Sequence, residues 1–475
     1  MGDRSSSARG TSALAALAGV ALALLHQGTF FFPLLGPRGE TLGALAEVEG
    51  LIEERWVEAP ITSALRDGAL RGMVSQLDPF SEYVPPTDLQ AFEEHTTGQF
   101  GGLGIYLELR EGQVVVITPL EDTPAWRAGV LPGDVILAID GVAAAFQTAS
   151  EAVEKLKGPV GTSVVLTVLH AADQRQETLT LERAVIQVRT VKSERVLDEG
   201  IGYLRVTAFN AGTVNELDQG LARLHPEGLK ALILDLRENP GGYLKGAVEV
   251  ADRFLPAGKV VVTTRSRGDV LEQELETEQP AVVTIPLAVL IDGGTASAAE
   301  ILTGALQDQG VATVVGVRSY GKGSVQSLLD LQGGKAQLKL TTQYFFTPNG
   351  RRIHKGSKAD DDPSWGIAPD IEVAIDAAAR RQVAIREAEL DIARIGARRE
   401  GRPHVGEERL HRDDPQVAAA FAHLQQVLAG AEKIGQRRVI TPAPADAARV
   451  DSRATAAVPP QEKPPQAPPE QPPPR

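Results

Sequence analysis

Apolar residues recur three and four positions apart through Leu42, Leu45, Val48, Leu51 and Ile52, which predicts a helix, and Ile61 to Leu77 continues in the same period after Pro60. Asp78-Pro79 interrupts the pattern, and Pro85-Pro86-Thr87-Asp88 opens a further helix through Leu89 to Glu94. Residues 37–97 therefore read as a helical cap. Upstream, Arg4 and Arg9 precede an apolar run from Ala13 to Leu25, the layout of a signal sequence, and a second apolar patch covers Thr29 to Leu35. No small-x-small cleavage site separates the two, and Ala13 to Leu35 is just long enough to span a bilayer. A cleaved signal and a retained membrane anchor over 1–36 both remain open. Either one places the rest of the chain on the non-cytoplasmic side.

From Gly98 the period shortens to that of β-strands. Gly101-Gly102-Leu103-Gly104-Ile105 leads into a strand, Val114 to Ile117 is another, and Thr123-Pro124-Ala125 opens a short helix ending at Gly129. Gly133 to Ile139 is a strand closed by the Asp140-Gly141 turn; a helix over Ala149 to Leu156 and strands over Val164 to Leu169 and Glu177 to Leu181 follow. This order, with its G-L-G-I loop and the segment P-A-x-x-A-G-V-x-x-G-D-x-I, resembles a PDZ domain over 98–184. The resemblance implies that Gly102, Leu103, Gly104 and Ile105 hold the terminal carboxylate of an extended peptide added to a sheet edge, because the backbone can approach closely at glycine.

Residues 185–375 alternate strands and helices. Ile201 to Val206 is a strand and Thr213 to Leu224 a helix; Leu229 to Leu236 is a nearly all-apolar run of the kind found in buried parallel strands. It ends at Asp235-Leu236-Arg237-Glu238-Asn239-Pro240-Gly241-Gly242 and is followed by a helix over Leu244 to Phe254. Pro286 to Ile291 repeats the scheme, with Asp292-Gly293-Gly294 as its turn and Ala298 to Gln307 as its helix. Two buried strands with Gly-rich turns at their ends predict an α/β fold with its chemistry at the strand ends. Val311 to Val317 adds a strand, and Lys335 to Phe346 alternates cleanly after Gly333-Gly334, as a β-hairpin does. Over 376–440 the stretches Ala377 to Ile395 and Gln416 to Ile434 look helical, and the Pro-rich tail 441–475 reads as disordered or polyproline-like.

Composition removes several kinds of chemistry. The 475 residues carry a net charge of −14 with no long basic run, which argues against nucleic-acid binding. There is no cysteine, hence no disulfide, thiol nucleophile or Cys-ligated zinc, and the eight histidines show no metal-binding spacing. Neither Gly-Asn-Ser-Gly-Gly nor G-x-S-x-G is present. A serine can also be activated by lysine if burial lowers the lysine pKa from about 10.4 toward neutrality. Lys322, between Gly321 and Gly323 after an apolar strand, has that setting. Taken alone, Ser297-Ala-Ala-Glu300 is equally a capping box at a helix start, and Lys322 equally an exposed turn lysine.

The motifs add up across the chain. G-G-T-A-S-A-A-E-I at 293–301, G-K-G-S-V-Q at 321–326, D-L-R-E-N-P-G-G at 235–242, T-P-N-G-R-x-I at 347–353, G-I-A-P-D-I at 366–371 and L-D-P-F-S-E-Y at 77–83 together resemble the carboxy-terminal processing peptidases, or tail-specific proteases, from Leu42 to Val373. The resemblance implies a crotonase-like α/β core with an inserted PDZ domain, and a serine endopeptidase that cleaves proteins near an exposed C-terminus through an acyl-enzyme. It implies Ser297 as nucleophile, Lys322 as general base and Gln326 as the side chain orienting the lysine. The Ala298 N–H and a donor from Gly241 or Gly242 would form the oxyanion hole. No metal or organic cofactor is implied. The implied partners are polypeptides with exposed, apolar C-termini; an adaptor protein, an oligomer and membrane attachment through the N-terminal segment are compatible with it. The implied compartment is the periplasm or its equivalent. Thr295 and Ala299 depart from the serines many members carry there, and Lys355 to Trp365 looks like an insertion. Its three consecutive aspartates lack the spacing and Gly turn of a calcium loop and read as a solvated acidic loop. The competing readings are a PDZ adaptor that has lost catalysis and a crotonase-like acyl-transfer enzyme.

Overall fold

The computed structural model describes residues 37–97, 99–225, 228–356, 364–376, 378–383, 385–386, 390 and 413–434. The expected signal or anchor, the Pro-rich tail, much of the 377–395 helix and residues 357–363 of the insertion lie outside these. The described chain forms two units, 37–92 with 326–342, and 93–325 with 343–434.

In the first unit, helices α1 (Pro37–Arg55) and α2 (Thr62–Val74) match the helical periods, and a short strand that the pattern did not reveal follows, β1 (Glu82–Val84). β1 pairs antiparallel with the outer part of a hairpin, Tyr83 opposite Leu338, which brings Val74, Tyr83 and Ala336 into one small apolar cluster. The Asp78-Pro79 break is an Asx turn: the Asp78 carboxylate accepts from the Phe80 and Ser81 N–H groups and the Ser81 hydroxyl at 2.7–2.8 Å. Among the described residues no helix is long and apolar enough to cross a membrane.

Helix α3 (Leu89–Thr97) leads into the second unit, whose first part is the PDZ-like module. Its strands are β2 (Gln99–Gly102), β3 (Ile105–Arg110), β4 (Gln113–Pro119), β5 (Val135–Ile139), β6 (Val142–Ala143), β7 (Ser163–Leu169), β8 (Gln176–Glu182) and β9 (Ala184–Gln187). β3-β4-β5-β7-β8 form an antiparallel sheet with β6 on β5, while β2 pairs with β9. Helices α4 (Pro124–Arg127) and α5 (Ala149–Leu156) complete it. The inward residues of the strands, Val114, Val116, Ile136, Val164, Leu166 and Val168, alternate as a half-buried sheet requires and pack on Ala152 and Leu156 of α5.

The remainder is built on one sheet. β10 (Val191–Val196) is antiparallel to β11 (Ile201–Val206), and β11, β12 (Ala231–Asp235), β15 (Leu287–Ile291), β16 (Ala312–Gly316) and β19 (Ile371–Glu372) run parallel in that order. Between them lie α6 (Thr213–Leu224), α7 (Leu244–Ala251) and α8 (Ala298–Asp308). Side chains of β12 and β15 divide by parity. Leu232, Leu234, Leu287, Val289 and Ile291 pack with α6, α7 and α8, while Ala231, Ile233, Ala288 and Leu290 meet a helix on the other face, α9 (Pro415–Ile434), through Val417, Ala420, Phe421 and Leu424. Cover on both faces is why these strands read as continuous apolar runs. A second, antiparallel group, β13 (Val260–Ser266) and β14 (Val270–Glu276), pairs with the Tyr344–Phe346 end of the hairpin β17 (Ser324–Leu331) and β18 (Ala336–Phe346).

Candidate active site

β12, β15 and β16 are parallel neighbours, so the loops that leave their C-terminal ends meet on one edge of the sheet. Direct hydrogen bonds lace the first two loops together. Ala296 N–H donates to the Asn239 carbonyl (2.8 Å), the Thr295 hydroxyl to the Leu236 carbonyl (2.8 Å) and Glu238 N–H to Asp292 Oδ1 (2.9 Å). The third loop joins through Tyr320 N–H, which donates to the Thr295 carbonyl at 2.9 Å.

Ser297 stands where the second loop becomes α8, half-buried, with φ 55° and ψ −118°. A non-glycine residue there is strained, and its surroundings must hold it. The hold comes from Glu300, whose side chain is fully buried. Its Oε2 accepts the backbone N–H of Ser297 at 2.8 Å and that of Lys322 at 2.8 Å. Its Oε1 accepts the Ser319 hydroxyl and Gly321 N–H, both at 2.6 Å. The backbone nitrogens of Ser297 and Lys322 therefore share one oxygen and lie within twice the length of a hydrogen bond of each other. Burial raises the Glu300 pKa, and the four donors work against that rise. The glutamate half of the expected capping box is thus present, and the same carboxylate also fastens the lysine loop.

Lys322 is half-buried between two glycines in tight quarters. A Cβ on Gly323 would lie 2.2 Å from His354 N, so only glycine lets these two backbone segments meet. Lys355 N–H donates to the Gly321 carbonyl at 2.8 Å, pinning the loop from the other side. Gln326 lies four residues further, on β17, where its Nε2 donates to Thr341 Oγ1 at 3.3 Å.

The N-P-G-G turn separates the two glycines left open by the sequence. Gly241 N–H is already spent on Asn239 Oδ1 at 2.8 Å. Gly241 has φ 97°, and a Cβ there would come within 2.7 Å of Ser297 Cβ and 2.9 Å of Ala298 N. Gly242 comes next, bridged to Phe209, and Ala298 N–H opens α8, where a helix leaves its first donors unused.

Two buried charged side chains beside the site were not singled out from the sequence. Asp235, at the end of β12, accepts from Arg237 Nη2 at 2.6 Å and from the Tyr203 hydroxyl at 2.6 Å. Arg237 also donates from Nη1 to Asp414 Oδ2 (2.8 Å) and Gln416 Oε1 (3.0 Å), at the start of α9. Asp235, Tyr203, Arg237, Asp414 and Gln416 are all buried. Burial pushes the Asp235 carboxyl up, but the Arg237 guanidinium and its hydrogen bonds outweigh this and hold it down to about 2. Burial likewise opposes the charge on Arg237, and Asp235 and Asp414 prevail in raising its pKa. A charged D-L-R triplet ending a buried apolar strand was the available signal for this clamp, since such charges must be paired. Asp414 and Gln416 gave none, being far away in the chain.

Residues 200–373 match the model of peptidase family S41, and residues 115–170 that of the PDZ domain. The chain is 37% identical over 342 residues to the carboxy-terminal-processing protease of Bartonella bacilliformis, an alignment covering 70% of this chain and 75% of that protein. The chain belongs to peptidase family S41. This S41 peptidase is also 35% identical over 329 residues to the carboxyl-terminal-processing protease of Synechocystis, covering 67% of this chain and 74% of that one. Among solved structures, the photosystem II D1 C-terminal processing protease is 27% identical, with a TM-score of 0.41 over 69% of this chain and 92% of that chain. The S41 chain is accordingly a serine-type peptidase of mixed α/β architecture that carries a PDZ domain.

Proposed function

We propose that the chain is an endopeptidase that cleaves polypeptides near an exposed C-terminus, with Ser297 attacking the scissile carbonyl and Lys322 taking the serine proton. The observation that carries this reading is the Glu300 carboxylate, which fastens the backbone of both residues to one oxygen atom at 2.8 Å each. The attack yields a tetrahedral oxyanion, for which the Ala298 and Gly242 N–H groups are the donors, because the Gly241 N–H is committed to Asn239. Collapse releases the C-terminal fragment with the proton from Lys322 and leaves an acyl-enzyme, which water activated by the neutral lysine then hydrolyses. Gln326, on the strand that carries Lys322 onward, is assigned as the residue that orients it. The core is read as crotonase-like, since a parallel sheet covered by helices presents Gly-rich turns at its strand ends.

The PDZ domain would take the substrate's C-terminus in the Gly102–Ile105 loop, favouring apolar terminal residues. The N-terminal apolar run in the sequence supports a periplasmic or equivalent location, released or anchored in the inner membrane, and an adaptor or oligomer is compatible with this reading.

The full chain is tested on unstructured polypeptides that differ only at their C-termini. Ser297→Ala and Lys322→Ala should each lower kcat by about 10⁴-fold or more, the scale seen when a nucleophile or base acting as a unit is removed. If wild type and both variants turn over every substrate alike, the assignment of these residues fails.

A further inference from the structure

We propose that Lys157 supplies the positive partner for the free C-terminal carboxylate of a polypeptide bound to the PDZ domain, and that Glu94 occupies this lysine until the ligand arrives. The proposal rests on the reading of the PDZ domain as a receptor for C-termini and adds residues outside the Gly-rich loop.

The loop itself fixes where a carboxylate would sit. The Leu103 carbonyl accepts from Ala125 N–H at 3.0 Å and the Gly104 carbonyl from Leu120 N–H at 2.8 Å. A trans peptide points its C=O and N–H in opposite directions. The Gly104 N–H therefore faces away from α4 and the Ile105 N–H away from Leu120, and in this proposal both donate to the anion. β3 starts at Ile105, and Ile105 and Leu107 pack in the same apolar cluster as Leu103, Ala152 and Leu156, which provides an apolar floor between β3 and α5.

The C-terminal end of α5 is held beside that loop. The buried Arg183 guanidinium donates to the last carbonyls of the helix, from Nε to Leu156 (2.9 Å) and from Nη2 to Lys155 (3.0 Å). Gly158 N–H donates to the Gly101 carbonyl at 3.1 Å. Lys157 is thus fixed on both sides, next to the segment that enters the carboxylate loop. Its Nζ lies 5.0 Å from the centre of the Phe100 ring and 3.1 Å from Glu94 Oε2, with side chains 31% and 21% exposed. The ammonium is consequently neither buried for packing nor spread into solvent. It is held by a carboxylate, the same chemical group that a substrate terminus presents, so one carboxylate can take the place of the other on the lysine.

The experiment measures binding by fluorescence anisotropy on the full chain with Ser297→Ala, which removes turnover. The probe is a labelled peptide with an apolar C-terminal residue, as the free acid and as the amide. The parent protein should bind the acid more tightly; if it binds acid and amide alike, the PDZ reading itself fails and this proposal with it. Given that preference, Lys157→Met should weaken binding of the acid about tenfold, the scale of one charge-assisted hydrogen bond in a partly exposed site, and leave the amide unchanged. The unchanged amide affinity is the control for folding. Lys157→Arg should keep the preference, and Glu94→Gln should tighten the acid severalfold by removing the internal competitor. A Lys157→Met protein that keeps the parent's acid-to-amide ratio, or a Glu94→Gln protein that binds the acid more weakly, overturns the role of the pair while leaving the PDZ reading standing.

Discussion

At the scale of single residues, the Glu300 carboxylate accepts four hydrogen bonds that join the start of α8 to the lysine loop. A glutamine can accept at one atom only, so Glu300→Gln leaves one pair of donors, either Ser297 and Lys322 or Ser319 and Gly321, facing an NH₂ group in a dry pocket. Each unsatisfied buried donor costs about 1–3 kcal/mol. Urea denaturation should show that loss, and peptidase activity should fall with it because the strained Ser297 backbone is released. Gly241→Ala should spare stability less than a surface change and strike activity harder. Its Cβ would intrude between Ser297 and Ala298 N–H, so kcat should drop about 10²-fold or more, the worth of an oxyanion donor, with secondary structure by circular dichroism unchanged.

Acid behaviour also belongs to single residues. Asp235 titrates at about 2 in the folded protein, below the ordinary carboxylate value of the unfolded chain. A depressed folded pKa contributes stability that is present above the unfolded value and is lost as pH falls through the folded one. About 2 kcal/mol should therefore disappear between pH 4 and pH 2. Glu300 has the opposite sign. Its raised folded pKa means that stability present at low pH is lost as pH rises through that value. Urea midpoints across pH 2–4 check the first effect: wild type should lose stability more steeply than Asp235→Asn over that window.

At the scale of elements, α9 is tied to the site by Arg237. Removing Asp414 leaves a buried guanidinium with part of its partners gone, and breaking such a pair costs about 3–5 kcal/mol. Asp414→Ala should therefore be severely destabilised in urea, while Asp414→Asn, which retains an acceptor, should lose less. The elements differ in how far the chain pattern disclosed them. β11, α5 and α6 fall on the residues their periodicity indicated, because each contains its own repeat and its own boundaries. β1, β10, β13 and β14 escaped, for a physical reason. β1 is three residues long, and β14 shows almost uniformly exposed positions, Val270 and Leu271 among them, so no alternation marks it. Their strand form comes from the neighbour they pair with.

At the scale of the whole molecule, the proposed nucleophile and lysine were legible because each lies in a short motif with Gly-rich flanks, and the order of motifs along the chain is itself informative. What tied them together was not legible. Glu300 reads locally as a capping residue, and only the folded chain brings Ser319, Gly321 and Lys322 onto it. The proposed preference for Gly242 over Gly241 likewise rests on one hydrogen bond to Asn239 that no spacing predicts. Local chemistry is written in runs of a few residues, whereas shared partners arise from strand order.

The parallel ladder of β12, β15 and β16 has one more consequence, for the time course of synthesis and folding. A protease that acts on unstructured polypeptide is a danger to its own incomplete copies. Under the proposed assignment each strand end contributes one part of the site: the glycine turn from β12, the serine from β15 and the lysine loop from β16. Until the last of the three is in register the parts do not face one another, so under that assignment a partly folded chain should be inert. On that reading the order of strands would act as a timing device, and the enzyme would become able to cut only once it had ceased to be a substrate.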